Sequence, residues 1–347
     1  MEIRWAPFWI EFKQPFTLSK GTRTGTHAVL LELSHEEHSA YGMAALPPYF
    51  KETQESVISI FKKVNVTPFR DPTNVTAIME YLRAISSGNR PALAALDLAV
   101  HILASKVQGI SLQKFLGLEE RSSIPTAFTI GVANADLVEE SLKRSKDFAN
   151  LKLKMGMQNE WEVLDQVITL TNKKFFVDVN QGWKSKEVAI KNIERLSKAG
   201  ALFVEEPIKT LDPADYKWLQ ERSAIPVFVD EHVWTLSDMN EWIDCVDGFN
   251  IKLMKSGGIQ ESLQMIARAK AKNSKLMMGC MAECSCTVSV ASILGSEFDY
   301  CDLDGPFLLK NDPFNGFVYK KGEVMINDTI GTGVELSRDV AISWLTK

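Results

Sequence analysis

The feature of this sequence that most constrains its fold is a series of short apolar runs at a nearly constant spacing. Eight such runs, rich in β-branched and aromatic residues, begin at Pro125, Asn150, Phe175, Ala201, Pro226, Gly248, Lys275 and Tyr300. Successive starts are 25, 25, 26, 25, 22, 27 and 25 residues apart. The segments between them have the apolar spacing of amphipathic helices. Strands that alternate with helices at one spacing predict a parallel (β/α)₈-type barrel, with an open doubly wound sheet as the alternative.

The two ends of the chain follow other patterns. Residues 1–120 contain three strand-like runs and then three helical patterns, which predicts a separate α+β unit. After the eighth run, "PFLLKNDPFNGF" from Pro306 has the composition of a loop, so the eighth helix is the weakest part of the barrel prediction. The tail from Phe314 has the pattern of a hairpin, which could return to the N-terminal unit.

The composition argues against several classes of protein. The chain has 347 residues, a net charge of −5 and no long basic run, so no nucleic-acid partner is expected. No apolar run approaches the ~18 residues of a membrane span, and the charged N-terminus does not resemble a signal peptide. All five cysteines follow residue 244, which favours reduced thiols in a cytoplasmic protein. Cys280, Cys284 and Cys286 lack the paired spacing of structural zinc and are expected to be buried thiols.

Charged or amide side chains end most of the predicted strands, where barrels of this kind collect their chemistry. They are Lys152, Lys154, Asp178, Asn180, Glu205, Glu206, Asp230, Glu231, Lys252, Asp302 and Asp304. A single carboxylate at such a place could simply cap the next helix. Asp178, Glu205 and Asp230, however, fall on three consecutive strands. Three close carboxylates would raise one another's pKa unless a cation neutralised them, and oxygen ligands with open positions favour Mg²⁺.

The stretch "NLKLKMG" (150–156) places Lys152 and Lys154 on one face of a strand. The carboxylates would compensate their charge, and Lys252 on the sixth strand would face them across the barrel mouth. Partly desolvated lysines near a divalent cation are expected to have a lowered pKa and to act as bases. Two bases on opposite sides of one carbon, beside a metal that holds a carboxylate, predict proton removal to an enediolate and proton return on the other face.

The chain resembles the enolase superfamily, and within it the muconate-cycloisomerase subgroup, whose sites are a known example of such Mg²⁺ and lysine chemistry. The matching motifs, in order, are K-x-K at 152–154, "DVNQGW" from Asp178, "VEEP" from Val204, "VDEH" from Val229 and "NIKLMKSGG" from Asn250. The resemblance implies a (β/α)₇β-type TIM barrel at 121–310, an α+β capping domain at 1–120, and a segment at 311–347 that returns to the capping domain.

The resemblance also implies roles for the site residues. One Mg²⁺ per active site would be held by Asp178, Glu205 and Asp230. Lys154 and Lys252 would be the acid–base pair, with Lys152 as their electrostatic support. Asn180 and Glu206 fall outside the usual ligand set and are expected to support the ligands from behind.

The eighth strand separates activities within the subgroup. "CDLDGP", with Asp302 and Asp304, resembles the D-x-D of dipeptide epimerases, in which the two aspartates hold the substrate's α-ammonium group. This predicts an isomerase that inverts the C-terminal residue of a dipeptide, a small-molecule partner and a possible homo-oligomer. The alternative is a cycloisomerase or o-succinylbenzoate synthase of the same subgroup. A barrel that only binds a peptide or a metal is more remote.

The preferred dipeptide is expected to depend on capping-domain loops near 18–25 and 45–52. Lys20 and Arg23 could meet an acidic side chain. When residues are counted without gaps, however, the position at which Ala-Glu epimerases carry their specificity arginine is occupied by Gly21 in this chain. Tyr49 and Phe50 favour a side chain that is not acidic. On the barrel side, Glu283 is expected to line the pocket.

Overall fold

The computed structural model describes residues 1–18, 21–86, 88–131 and 137–340, and the side chains of residues 15–18, 21 and 22 are left aside. The chain begins with an antiparallel sheet in the order β1–β2–β3, followed by four helices. These elements are β1 (Glu2–Leu18), β2 (Gly21–His35), β3 (His38–Leu46), α1 (Gln54–Phe61), α2 (Val75–Ser86), α3 (Arg90–Val107) and α4 (Leu112–Phe115). A Cβ on Gly42 would lie 2.0 Å from Ala95 O, so this glycine lets β3 pack directly on α3.

The central part of the chain forms eight parallel strands that are hydrogen-bonded in sequence order. After β4 (Ser123–Pro125), the strands are β5 (Ala127–Ile130), β6 (Asn150–Lys154), β7 (Lys174–Asp178), β8 (Val204–Glu205), β9 (Val227–Val229), β10 (Gly248–Ile251), β11 (Lys275–Gly279) and β12 (Tyr300–Asp302). The helices are α5 (Val138–Arg144), α6 (Glu160–Leu170), α7 (Lys186–Lys198), α8 (Pro213–Gln220), α9 (Leu236–Trp242), α10 (Leu253–Ser256), α11 (Ile259–Ala271), α12 (Ser285–Leu294) and α13 (Gly305–Leu308).

The first and last barrel strands are joined by side chains. Leu303 N donates to Thr126 Oγ1 at 2.8 Å, and Thr129 N donates to Asp304 Oδ2 at 2.7 Å. These bonds bring β12 next to β5, so the sheet curls into a nearly closed barrel. The predicted barrel is therefore confirmed, and the open doubly wound sheet is wrong. α13 has four residues, which agrees with the (β/α)₇β form and a missing eighth helix.

Aromatic side chains fill the barrel beneath its mouth. The ring centroids of Phe176 and Phe203 are 4.5 Å apart, and those of Phe203 and Phe228 are 4.2 Å apart. Each of these residues precedes a predicted carboxylate ligand by two positions, and residues two apart on a strand share a face. The apolar layer therefore forms the floor on which the inward-facing carboxylates stand, which keeps water from reaching them from below.

The last part of the chain adds four short strands. They are β13 (Phe314–Asn315), β14 (Tyr319–Lys320), β15 (Glu323–Met325) and β16 (Glu335–Leu336). β15 pairs with β14 and β4, and β13 pairs with β16. The Phe314 ring lies 5.5 Å from the Tyr41 ring of β3, and Lys106 of α3 forms an ion pair with Glu335. The division into 1–120, 121–310 and 311–347 remains a prediction. No helix among the described residues is long and apolar enough to cross a membrane.

Candidate active site

The two lysines of β6 both reach the carboxylates at the barrel mouth. Lys152 Nζ lies 2.8 Å from Asp302 Oδ2 and 2.9 Å from both Asp178 Oδ2 and Glu205 Oε2. Lys154 Nζ donates to Asp178 Oδ2 at 2.6 Å. Lys152 is fully buried, so its ammonium group depends on these three carboxylates for compensation. The strand thus points two cations the same way because anions lie opposite them.

Asp178, Glu205 and Asp230 form the one group of metal-ligand type found among the described residues. They end or follow β7, β8 and β9, and one ligand oxygen from each lies within 4.8 Å of the others. All three are buried. Asn250 Nδ2 donates to Glu205 Oε1 at 2.6 Å. Glu205 Oε2 contacts Lys152 without hydrogen-bond geometry and accepts no hydrogen bond, so this buried oxygen has capacity for a cation.

The carboxylates of this group differ in how well they are neutralised. Burial and the charge of Asp178 raise the pKa of Glu205 to about 7. Burial also acts to raise the pKa of Asp178, but the ammonium groups of Lys152 and Lys154 outweigh it and lower that pKa to about 2. Glu205 is therefore the carboxylate with the least compensation from the protein. A hard divalent ion with oxygen ligands fits such a site, because it would supply the missing charge.

Lys252 follows β10, which lies four strands from β6 in the eight-stranded barrel. Its Nζ donates to Asp230 Oδ2 at 2.6 Å, and the side chain is buried. Burial acts to lower the pKa of Lys252, but Asp230 and other carboxylates raise it well above the ordinary value. The pKa of Lys152 is raised in the same way. The predicted lowering of the lysine pKa values depends on a bound divalent cation and stays a prediction, because the protein's own carboxylates outweigh burial at Lys152 and Lys252.

Asp302 ends β12, which lies four strands from β8 in the barrel, and Asp304 follows it by two residues. Asp302 is engaged by Lys152 through Oδ2, and Thr129 Oγ1 lies 3.4 Å from its Oδ1. Asp304 accepts from Thr129 N through Oδ2. Burial and the charge of Asp302 raise the pKa of Asp304 to about 6. Asp304 therefore has no lysine partner among these contacts, whereas Asp302 shares its charge with Lys152.

Glu206 lies behind the acidic group. Its Oε2 accepts from Asp230 N at 2.7 Å, its Oε1 accepts from Gln181 Nε2 at 2.8 Å, and it forms an ion pair with His232. His232 Nε2 lies 2.6 Å from Thr210 O. Burial acts to lower the pKa of His232, but Glu206 outweighs it and the pKa is raised. Glu206 in turn holds the backbone N–H of Asp230.

Asn180 bridges the acidic group and the partly buried carboxylate of Glu231. Its Oδ1 accepts from Lys154 Nζ at 3.2 Å, and its Nδ2 donates to Glu231 Oε1 at 3.1 Å. Asn180 N also donates to Asp178 Oδ1 at 3.0 Å. This asparagine can therefore orient both Lys154 and its carboxylate partner.

Three residues at this site were missed by sequence reasoning: Asn250, Lys255 and Thr129. Asn250 and Lys255 bind Glu205 and Asp230 respectively, through side chains within the motif "NIKLMKSGG". For Asn250 the available signal was its alternation with Lys252 at the end of β10, whereas Lys255 falls outside that alternation. Thr129 had none, because its contacts depend on barrel closure.

The predicted specificity residues of the capping domain lie at a cleft within that domain and at its contacts with the barrel loops. Lys20 lies outside the described residues. Arg23 is partly buried, its Nη1 has no hydrogen-bond partner, and burial lowers its pKa. It lines a cleft of about 690 Å³ together with Trp9, Pro47 and Phe50. The Tyr49 hydroxyl lies 2.8 Å from Met281 Sδ, and the Phe50 ring lies 4.8 Å from the ring of Trp234. The 45–52 segment thus contacts two barrel loops.

Glu283 lies in the loop after β11. It is buried, its Oε1 accepts from Met281 N at 2.7 Å, and burial raises its pKa. Cys284, Cys286 and Cys301 are buried free thiols, while Cys245 and Cys280 are partly exposed. Burial raises the pKa of Cys284 and Cys286 well above the ordinary value, so they are packing residues rather than thiolate ligands.

Comparison with known proteins agrees with this geometry. A model of the Enolase C-terminal domain-like family matches residues 134–340. The chain belongs to the enolase superfamily. The predicted resemblance is therefore confirmed, on a match that spans β6 to β16.

Relatives of this enolase-superfamily chain carry epimerase names. The L-Ala-D/L-Glu epimerase of Bacteroides thetaiotaomicron is 36% identical over 335 residues, which cover 96% of this chain and 88% of the relative. The L-Ala-D/L-amino acid epimerase of a Maribacter species is 31% identical over 343 residues, which cover 97% of this chain and 100% of the relative. The dipeptide epimerase from Cytophaga hutchinsonii was solved with Mg and the dipeptide D-Ala-L-Val. It matches this chain with a TM-score of 0.90 at 23% identity, and the match covers 99% of this chain and 97% of the epimerase. This structural likeness shows a shared fold.

Proposed function

We propose that this protein is a Mg²⁺-dependent dipeptide epimerase that inverts the α-carbon of the C-terminal residue by 1,1-proton transfer. One observation carries the proposal. Lys154 and Lys252, from strands four apart in the barrel, each bind a different carboxylate of one acidic group, Asp178 and Asp230, at 2.6 Å. Two lysines on opposite sides of one metal-binding group can reach opposite faces of a carbon held there. The epimerase names of the relatives at 31% and 36% identity support it.

Each lysine has a defined part in this scheme. One of Lys154 and Lys252, as the neutral amine, accepts the α-proton at Nζ, and the other, as the ammonium, returns a proton to the opposite face. The direction of epimerisation decides which is which. When bound, Mg²⁺ would supply positive charge that holds the substrate carboxylate, stabilises the enediolate and opposes the effect of Asp230 on the pKa of Lys252. Lys152 lends fixed positive charge beside Lys154 and keeps the carboxylates in place.

Asp302 and Asp304 provide the site for the substrate's α-ammonium group. Asp304 has no lysine partner among its contacts, and Asp302 shares one oxygen with Lys152. A dipeptide carries its ammonium and carboxylate at opposite ends, which matches an anionic pair placed across from a metal-bound carboxylate. A cycloisomerase or o-succinylbenzoate synthase substrate has no ammonium group and would leave this pair without a counter-charge.

The structure also favours one class of side chain. The unpaired Nη1 of Arg23 is buried beside the cleft between the two capping segments. The Tyr49 hydroxyl is close enough to Arg23 and Lys252 that both positive charges act to lower its pKa, although burial raises it overall. A buried N–H group of a guanidinium is costly to leave without an acceptor, and an anion would supply one. We therefore propose an acidic C-terminal side chain, in contrast to the preference suggested by Tyr49 and Phe50. A cytoplasmic location and a homo-oligomer remain predictions.

A pooled dipeptide screen in D₂O, read by mass spectrometry, tests this function. Each inversion places one deuterium on an α-carbon, so labelled dipeptides are identified without prior assumption. We expect Mg²⁺-dependent labelling that EDTA abolishes, with Ala-Glu among the labelled compounds. No labelling across a broad library would contradict the proposal and favour the cycloisomerase alternative. A barrel that only binds peptides would show binding without labelling, although no predicted ligand or base is absent here.

The side-chain preference has a separate test. Arg23→Gln should lower kcat/KM for Ala-Glu by about 10- to 100-fold, the worth of a charge-assisted hydrogen bond, with little change for Ala-Val. Arg222→Gln, on the exposed C-terminal side of α8, serves as the control. Equal losses on both dipeptides would contradict an acidic preference.

A further inference from the structure

Lys255 is a buried lysine three residues after Lys252, and the proposed chemistry does not use it. Its side chain is 3% exposed. Its Nζ donates to Asp230 Oδ1 and to Asp230 O, both at 2.6 Å, and to Val233 O and Asn250 O, both at 2.9 Å. The ammonium group therefore ties the loop after β9 to β10, at the position of one proposed metal ligand.

The contacts of Lys255 exclude a role in proton transfer. An ammonium group has three N–H donors, and four protein oxygens already surround this one. No donor remains for a substrate, and solvent does not reach the side chain. Burial of an uncompensated ammonium would cost several kcal/mol, so these contacts must persist in the folded protein. Lys255 can therefore influence the site only through its hydrogen bonds to Asp230 and the neighbouring backbone.

The two carboxylate oxygens of Asp230 are divided between two lysines. Oδ1 is bound by Lys255, and Oδ2 is bound by Lys252. We propose that Lys255 is a positioning residue that fixes the Asp230 carboxylate through Oδ1, in the orientation in which Asp230 would hold Mg²⁺ together with Asp178 and Glu205. This inference rests on the proposed function for the identity of the metal, while the contacts that carry it are independent of the substrate.

The backbone contacts of Lys255 extend the same effect. Asp230 is held at its N–H by Glu206 and at its carbonyl by Lys255, so its main chain is fixed on both sides. Lys255 also holds the carbonyl of Asn250, whose side chain donates to Glu205. One side chain therefore sets the relative positions of two of the three proposed ligands.

Two physical effects predict opposite results when the charge of Lys255 is removed. A cation near a metal site repels the metal, so electrostatics alone would make Mg²⁺ bind more tightly without Lys255. Loss of a group that orients a ligand typically weakens metal binding by about 10- to 100-fold. The sign of the change in Mg²⁺ affinity therefore decides between a positioning role and a bystander charge.

The test is calorimetric titration of MgCl₂ into the metal-free full chain, with no dipeptide present. Lys255→Met removes the charge and every donor, and Lys255→Gln removes the charge but keeps donors for the carbonyls. We expect both to bind Mg²⁺ about 10- to 100-fold more weakly than wild type. Lys106→Met is the matched control, because Lys106 is also buried and bonded to a carbonyl and a carboxylate, but in the capping domain. It should lose thermal stability and keep its Mg²⁺ affinity.

Unchanged or tighter Mg²⁺ binding by folded Lys255→Gln would overturn the inference, whatever happens to its melting temperature. If Lys255→Met does not fold, Lys255→Gln alone decides. A wild-type chain that binds no Mg²⁺ would overturn both this inference and the proposed function. A wild-type chain that binds Mg²⁺ but labels no dipeptide would overturn the proposed function alone, and the Lys255 comparison would still stand.

Discussion

Lys152 Nζ lies 2.8 Å from Asp302 Oδ2, so the second and eighth barrel strands, with β5 between them, are joined by a buried ion pair at the barrel mouth. The same Nζ is 2.9 Å from two proposed metal ligands, Asp178 and Glu205. Lys152 thus links the proposed metal ligands to the aspartate pair proposed to bind the substrate's ammonium group. One consequence is that Asp302 and Asp304 are not equivalent, since Asp304 has no lysine among its partners.

The two-base scheme predicts opposite stereochemical defects for the two lysines. Lys252→Ala should abolish epimerisation, with a loss of about 10²- to 10⁴-fold, while Lys154 still exchanges the α-proton of one C-terminal configuration. Lys154→Ala should leave exchange only in the other configuration. Proton NMR in D₂O, with each diastereomer assayed separately, measures this. The control variant Lys198→Ala, on the exposed face of α7, should still exchange the α-proton of both C-terminal configurations. Equal loss of both exchanges in both variants would contradict the scheme.

Asp304→Asn should weaken binding of dipeptides through their ammonium group. The amide oxygen can still accept from Thr129 N, so the fold should be retained, but the charge is lost. We expect kcat/KM for a free dipeptide to fall by about 10- to 100-fold. The N-acetylated form of the same dipeptide, which has no ammonium group, should be affected little. A similar loss on both substrates would show that Asp304 acts in some other way.

The raised pKa of Asp304 predicts a pH dependence. Asp304 binds an ammonium group only as the carboxylate, and burial with the charge of Asp302 raises its pKa to about 6. At saturating Mg²⁺, kcat/KM for a free dipeptide should therefore fall as the pH drops through about 6. The N-acetylated dipeptide supplies the reference profile, and Asp304→Asn should remove the difference between the two profiles. Identical profiles in the wild type would contradict the assignment.

Mg²⁺ should stabilise the folded chain, because the acidic group is assembled only in the folded state. At 100 times its Kd, a ligand specific for the folded state adds about 2.7 kcal/mol to the free energy of unfolding. Differential scanning calorimetry with MgCl₂ and with EDTA measures the shift. Glu205→Gln should greatly reduce it, since Glu205 is the ligand with least compensation. A shift of wild-type size in that variant would place the ion elsewhere.

The buried pair of His101 and Asp97 predicts a second pH effect, on stability. Burial acts to lower the pKa of His101, but Asp97, whose Oδ1 lies 3.2 Å from His101 Nδ1, outweighs it and the pKa is raised. Because the pKa of His101 is raised in the folded state, its stabilising effect is complete at a pH below the unfolded-state pKa of about 6.5. The effect is lost as the pH rises through the folded-state pKa. The difference in melting temperature between wild type and His101→Gln should therefore shrink from pH 6 towards pH 9. A constant difference would contradict this charge state.

Much of the fold and site was predictable because both depend on local periodicity. Strand runs about 25 residues apart predict a barrel, and side chains two apart on a strand share a face. That rule alone puts Asp178 on the same face as Phe176, as observed. Lys20 lies outside the described residues, and the reach of Arg23 could not be predicted, because glycines on either side leave its direction open.

The sequence by itself determined the barrel order, the enolase-superfamily motifs and the residues that meet at the mouth, because strand pairing in chain order brings their ends together. Only the tertiary structure decided the partners of each charge. Lys255 on Asp230, Lys152 on Asp302 and the unpaired Arg23 follow from side-chain reach and barrel closure, which sequence spacing does not encode. The pKa values of Lys152 and Lys252 also depend on the tertiary structure. Burial lowers them, nearby carboxylates raise them, and the outcome depends on distances of a few ångströms.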